Sequence, residues 1–243
     1  MQVSYCKDYT ELSDRASDMI IDLVEEKPDS VLCLAAGDTP KLTYTEVVKK
    51  AAAQKLKFNR VTFIGLDEWV GIPPQNEGSC HYFLHHNLFN PLQIDPSQIH
   101  MFDALATDLS AECKKMDAII AEKGGIDLML VGVGMNGHIG FNEPGVSFDL
   151  YSHVIDLDEN TQSVGQKYFT EKISLPKGIT LGLKHFMQAK KAMVIANGEK
   201  KSNIIQKVLE ESVTNEVPAS IVQRHPNGWV IIDKQAAYLT SNR

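Results

Sequence analysis

The sequence predicts one α/β domain: a doubly wound, mainly parallel sheet with helices on both faces, Rossmann-like in its layering. Three observations carry this expectation. Short continuous apolar runs recur (SVLCLAA, VTFIGL, DLMLVGV), as strands buried on both faces require. Stretches with helical apolar spacing lie between them. No repeat, low-complexity tract or Gly/Ser linker divides the 243 residues, a length that can bury most of its apolar surface in one domain, 1–243.

Taken in order, Leu12, Ala16, Met19, Ile20, Leu23 and Val24 fall on one helical face, and Pro28 closes that helix. Residues 30–36 form the first buried strand, Gly37-Asp38-Thr39-Pro40 a turn, and a second helix runs to about Gln54. Residues 61–66 are the next strand, with Asp67-Glu68-Trp69 at its C-terminal end. Helices follow at 79–87 and 109–122, the latter ended by Gly124-Gly125. A strand at 127–133 is the third clear one. Beyond residue 145 the pattern is less regular: a strand at 153–157, a helix at 161–169, a strand at 192–196, a helix at 199–210 and a strand at 229–233. The irregular interval, about 146–185, is expected to be a lid, on loop grounds alone.

Composition narrows the function classes. With 43% hydrophobic and 23% charged residues the balance is that of an ordinary globular protein, and a net charge of −7 argues against sequence-independent binding of nucleic acid. Cys6, Cys33, Cys80 and Cys113 lack metal-binding spacing, so reduced thiols in a cytoplasmic protein are expected. The N-terminal stretch MQVSYCKDYTELSDRAS does not read as a signal peptide, and no apolar run approaches a membrane span of ~20 residues.

In doubly wound sheets ligands bind beyond the C-terminal ends of the strands. Three loops leave those ends, at 37–40, 67–74 and 132–145, and should converge on one crevice. The last contains a formal G-x-G-x-x-G within GVGMNGHIGFNEPG. A dinucleotide fingerprint needs its third glycine to open a helix, and Gly140, Pro144 and Gly145 deny one after Gly137. No GKS or GKT of a phosphate-binding Walker loop occurs.

The chemical candidates each have a plain reading beside the functional one. Asp67 and Glu68 are either a solvated acidic pair or, half covered by Leu66 and Trp69, a base with its pKa moved toward neutrality. His138, with Glu143 five residues later, is either a structural histidine or a proton-transfer group whose tautomer a carboxylate fixes. Asn136 and Asn142 orient substrate hydroxyls or close Asx-turns. Gly37-Asp38-Thr39-Pro40 is an ordinary helix start or a phosphate site made of free N–H groups and a positive dipole end. The i, i+4 histidines of HYFLHH lack the glutamate of an H-E-x-x-H site and any third ligand, so no metal is expected.

Three motifs together resemble the glucosamine-6-phosphate deaminase (isomerase) family, which also includes 6-phosphogluconolactonases: AGDTP (36–40), GLDEWVG (65–71) and GVGMNGHIGFNEP (132–144), in the family's order and spacing across the chain. The resemblance implies a sugar-phosphate isomerase type of α/β fold, no cofactor, and a small amino-sugar phosphate as the partner, with a homo-oligomer compatible with it. It implies that Asp67 moves a proton between C2 and C1, that His138 opens the sugar ring, that Glu143 holds His138, and that Asn136 orients through its amide. The phosphate is expected against Ala36, Gly37, Asp38 and Thr39, with Gly137, Lys167 and Lys201 completing the seat. Where lactonases read GHTAS this chain has GHIGF, which disfavours that branch. Leu150-Tyr-Ser-His153 departs from the Ser-Arg-Thr of glucosamine-6-phosphate deaminases, and stretches such as EGSCHYFL and GITLGLKHF resemble the galactosamine-6-phosphate branch. The expected reaction is therefore galactosamine 6-phosphate and water to tagatose 6-phosphate and ammonium, with glucosamine 6-phosphate to fructose 6-phosphate as the alternative.

Overall fold

In the computed structural model, which describes residues 1–241, the chain alternates strand and helix as the apolar pattern demands. The last two residues of the expected 1–243 domain lie outside the described residues. The first half contains β1 (Gln2–Cys6), α1 (Tyr9–Glu26), β2 (Val31–Leu34), α2 (Asp38–Gln54), β3 (Thr62–Gly65) and β4 (Asp67–Trp69). Next come α3 (Cys80–Leu84), a π-helical turn (His85–Phe89), α4 (Asn90–Leu92), β5 (Ile99–His100), α5 (Leu109–Glu122) and β6 (Leu128–Gly132). The remainder is β7 (His153–Asp156), α6 (Glu159–Gly165), β8 (Lys177–Thr180), α7 (Leu183–Gln188), β9 (Lys191–Ala196), α8 (Ser202–Glu210) and β10 (Gly228–Asp233).

Seven strands form one sheet in the order β1-β10-β9-β6-β2-β3-β5, and every pairing in it is parallel. Side-chain alternation divides each strand between two cores. Val31 and Cys33, Met129 and Val131, and Val194 and Ala196 face one core, where α5, α7 and α8 supply Met116, Phe186 and Ile205. Leu32 and Leu34, Leu128 and Leu130, and Met193 and Ile195 face the other, where α1 and α2 supply Leu12, Ile20, Tyr44 and Val47. Burial on both faces is why these strands read as unbroken apolar runs rather than alternating ones.

Helix starts follow local chemistry. Asp8 caps α1 by accepting the Glu11 N–H at 2.9 Å, and Asp108 caps α5 through Ala111 at the same distance. At the opposite end of the sheet from the crevice, buried Asp127 binds Lys27 and Lys190 at 2.7 Å each and accepts the Val31 N–H at 2.8 Å. Burial alone would raise its pKa, but the two ammonium groups and the N–H outweigh it and hold the carboxyl below its ordinary value. A depressed pKa stabilises the fold above the unfolded value of about 4, and the contribution fades as pH falls through the folded value. Asp127→Ala is expected to cost about 2 kcal/mol in urea denaturation at pH 7, with a smaller difference near pH 3.

The structure adds elements the apolar pattern leaves out. β1, β5, β8 and α7 are short or begin with polar residues. Asp67–Trp69 is not simply the tail of β3: after Leu66 it re-enters extended structure and pairs antiparallel with β8, which pairs with β7 in a separate three-stranded sheet, β4-β8-β7. About half of the 146–185 interval is therefore regular, holding β7, α6 with its following turn, β8 and the start of α7. The helix expected at 161–169 is α6 followed by a 3₁₀ turn at Gln166–Tyr168, and that expected at 79–87 is α3 passing into the π-helical turn.

Candidate active site

The strand order reverses between β2 and β6, where chain progression runs one way through β3 and β5 and the other way through β9 and β10. A reversal of this kind opens a crevice at the C-terminal strand ends. The loops after β2, β3 and β6 all leave there, and all three carry candidate residues.

Asp67 stands on β4 opposite Thr180 of β8, and the Leu181 N–H to Leu66 carbonyl bond of 2.9 Å fixes the preceding residue. It is buried, at 9% exposure, beside a second carboxylate. Burial, then the charge of Glu68, push its pKa up to about 7, against an opposing hydrogen bond from the Cys80 thiol. Glu68 is differently employed. Its carboxylate accepts the N–H groups of Trp69, Cys80 and His81 at 2.9, 3.0 and 2.8 Å, anchoring the start of α3.

The loop after β6 comes to Asp67 at Gly140, which has a φ of +56° and no room for a side chain: a Cβ there would lie 2.7 Å from Thr180 Oγ1 and 3.3 Å from Asp67 Oδ2. Within that loop His138 Nδ1 faces Glu143 Oε2 at 3.5 Å. Asn136 closes the clasp, donating through Nδ2 to Glu143 Oε2 at 2.8 Å and accepting the His138 N–H at 3.2 Å. Burial would raise the Glu143 pKa, but the His138 bond and charge outweigh it, with Thr161 and Asn136 adding, and the carboxyl stays below its ordinary value. Glu143 Oε1 is buried without a partner, an acceptor left over inside the site. Asn142 is spent structurally, donating to the Ile139 and Leu181 carbonyls at 2.9 and 2.8 Å.

On the other wall, α2 starts at Gly37 (φ +123°) with no side chain capping its N–H groups, so the positive end of a 17-residue helix faces the crevice. Thr39 Oγ1 reaches Asn197 Oδ1 at 2.8 Å at the end of β9. Lys167 pairs with Asp38 at 2.7 Å, and the adjacent Tyr168 hydroxyl approaches Gly37. Lys201 donates to the Val133 carbonyl. Burial, then the nearby charge of Lys167, bring its pKa down to about 8. Ala36 is half-buried against the small cluster around Trp69. Gly137 is engaged within the protein, its N–H donating to the Gly134 carbonyl at 3.1 Å and its carbonyl accepting the Ala219 N–H at 2.8 Å.

His81 and His85 stack with ring centroids 4.5 Å apart and planes 16° from parallel, so their in-plane lone pairs do not meet on one ion. Burial, then His85, lower the His81 pKa to about 4. Among the described residues no group of three or more His, Cys, Asp or Glu side chains is placed to hold a metal, and no helix is long and apolar enough to cross a membrane. Two neighbours of the site went unread in the sequence. Thr161 lies 23 positions from His138, and Cys80 lies 13 from Asp67; only the tertiary fold joins them.

Fold and geometry together define a class: α/β proteins with a buried carboxylate and a carboxylate-held histidine at the switch-point crevice of a parallel sheet. A model of the family described as glucosamine-6-phosphate isomerases/6-phosphogluconolactonase matches residues 8–232, and the chain belongs to that family. It is 44% identical over 232 residues to the glucosamine-6-phosphate deaminase of Lachnoclostridium phytofermentans, covering 95% of this chain and 98% of that one. It is 38% identical over 240 residues to the glucosamine-6-phosphate deaminase of Thermoanaerobacter pseudethanolicus, covering 98% and 95%. The solved structure of a monomeric glucosamine-6-phosphate deaminase superposes with a TM-score of 0.95 at 35% identity, over 98% of this chain and all of that one. The 6-phosphogluconolactonase of Leishmania guyanensis shares the fold, with a TM-score of 0.78 at 21% identity over 98% of each chain. The enzyme is thus an amino-sugar phosphate deaminase/isomerase.

Proposed function

We propose that the substrate is glucosamine 6-phosphate, converted with water to fructose 6-phosphate and ammonium. The observation that carries the choice of epimer is similarity at 38–44% identity, over nearly full length, to glucosamine-6-phosphate deaminases. It supports the glucosamine alternative over galactosamine 6-phosphate. The galactosamine reading rests on short matching stretches and on Leu150-Tyr-Ser-His153, and the same assay tests it.

In this reading the phosphate sits against residues 36–39, neutralised by Lys167 and Lys201, and its remote binding energy sets C1 and C2 against Asp67. His138 takes the C1 hydroxyl proton and returns it to the ring oxygen, opening the pyranose. Asp67 then removes the C2 proton and delivers it to C1, while the amine yields a proton to the C1 oxygen, leaving a C1 hydroxyl and an imine at C2. Water adds there and ammonia leaves, so no net oxidation occurs. A carboxylate with a pKa of about 7 is half ionised near neutrality and is a stronger base than an exposed one.

Ammonia release from the two epimers, measured side by side, is expected to give the higher kcat/KM for glucosamine 6-phosphate. The reverse ranking restores the galactosamine assignment, and faster hydrolysis of 6-phosphogluconolactone than of either makes the protein a lactonase. The pH dependence of kcat/KM should be a narrow bell. It rises as Asp67 ionises through about 7 and falls as Lys201 loses its proton through about 8. One structural neighbour is described as monomeric, and sedimentation velocity at micromolar concentration distinguishes that state here from a homo-oligomer.

A further inference from the structure

The sequence that opens α6, Asp158-Glu-Asn-Thr161-Gln162, satisfies its own first turn. Asp158 accepts the Asn160 N–H at 2.9 Å, and Gln162 Nε2 donates to the Leu157 carbonyl at 2.8 Å. That carbonyl is the one, four residues back, to which a helical threonine ordinarily returns its hydroxyl. With it engaged, and with Thr161 turned inward to 6% exposure, the hydroxyl goes elsewhere: Oγ1 lies 3.3 Å from His138 Nδ1.

His138 Nδ1 has a second neighbour, Glu143 Oε2, but at 3.5 Å, and that oxygen is already taken by Asn136 at 2.8 Å. The hydroxyl, which also bonds the Glu143 carboxylate and so gives its own hydrogen there, is the nearer partner of Nδ1 and is left to accept from it. α6 is also pinned elsewhere on the crevice. A Cβ on Gly165 would meet Trp69 Cη2 at 2.6 Å, two residues from Asp67, and Lys167, just past the helix, pairs with Asp38 at 2.7 Å. One short segment touches the histidine, the wall of the base and the cation of the seat.

We propose that Thr161 is a positioning residue: its hydroxyl shares the Nδ1 proton of His138 with Glu143, and so keeps the imidazole in the tautomer whose bare Nε2 faces the substrate. This rests on the ring-opening role given to His138 above. Without the hydroxyl, the ring nitrogen keeps only the longer contact, and the tautomer with Nε2 protonated becomes populated. That form cannot accept the sugar's proton.

The test pairs Thr161→Val, which keeps the shape and removes the hydroxyl, with Thr161→Ser, which keeps the hydroxyl. Thr161→Val is expected to lower kcat on the order of 10- to 100-fold with KM within about threefold, and Thr161→Ser to restore most of it. Nitrogen-15 NMR of labelled histidine, with His138→Gln used to assign the signals, reads the tautomer directly. Wild type should show Nδ1 protonated and Thr161→Val a mixture. An unchanged tautomer in Thr161→Val, or a serine variant as impaired as the valine one, overturns the proposal. Wild type that releases ammonia from neither amino-sugar phosphate sinks the proposed function instead, while the NMR comparison still decides the role of Thr161.

Discussion

Asp67→Asn is expected to lower kcat by about 10³-fold while leaving affinity for a non-reacting sugar phosphate within a few-fold. The amide keeps the shape of the carboxyl, so the β4–β8 pairing and the approach of Gly140 persist, but it cannot take a proton from C2. The same substitution should stabilise the fold at high pH. Asp67 has a folded pKa of about 7, above an unfolded value of about 4, so the folded state holds a proton that the unfolded state has released. Stability therefore falls as pH rises from about 4 through 7, and the asparagine variant escapes that loss. Its Tm advantage over wild type should be larger at pH 8 than at pH 5. Wild-type turnover in Asp67→Asn would remove the residue from its role; a variant that unfolds early at every pH would assign Asp67 to structure instead.

Gly134→Ala is the second large effect. A Cβ at Gly134 would stand 2.3, 2.4 and 2.5 Å from His138 Cε1, Nε2 and Cδ2. Near-equal distances to three consecutive ring atoms mean that the imidazole lies with its face on the glycine, with no space for a methyl. Gly134 is not among the residues with positive φ, so alanine suits the backbone and only the ring must move. The expected outcome is a kcat loss of about 100-fold, since a shift of about 1 Å in a reacting group costs that much, with little change in Tm. Gly132→Ala is the control. Nothing lies within 4 Å of its added Cβ and its φ is ordinary, so activity should stay near wild type. Equal activity in the two variants would dissociate Gly134 from the histidine.

These glycines show where reading a sequence reaches and where it stops. The motif's failure as a nucleotide cradle is legible, because no helix follows Gly137, and the loop's place at a strand end follows from the apolar run before it. The three glycines look alike in the sequence, yet Gly132 has open space, Gly134 underlies a ring, and Gly137 turns the backbone at φ +89°. Only coordinates separate those uses. The core strands were legible because both faces are buried, and Asp67 and Gly37 because parallel sheets collect function at one edge. β8 was not, since Lys177-Gly178-Ile179-Thr180 carries too little apolar signal, and its partner β4 consists of residues that read as a strand's tail. Thr161 was invisible for a different reason: no local pattern announces a hydrogen bond across 23 residues.

The Lys167–Asp38 pair has a bearing on which anions the crevice accepts. At 2.7 Å, with both side chains substantially exposed, it gives this wall of the crevice a tethered counterion of its own. An incoming group has to displace a carboxylate held at high local concentration, which a singly charged, freely diffusing anion such as chloride does poorly. A sugar phosphate above its second ionisation brings close to two charges and several acceptor oxygens, and meets Lys201 and the uncapped start of α2 together. On the proposed function, the ion pair is a modest threshold that a dianion with several acceptor oxygens crosses more readily than a monovalent ion.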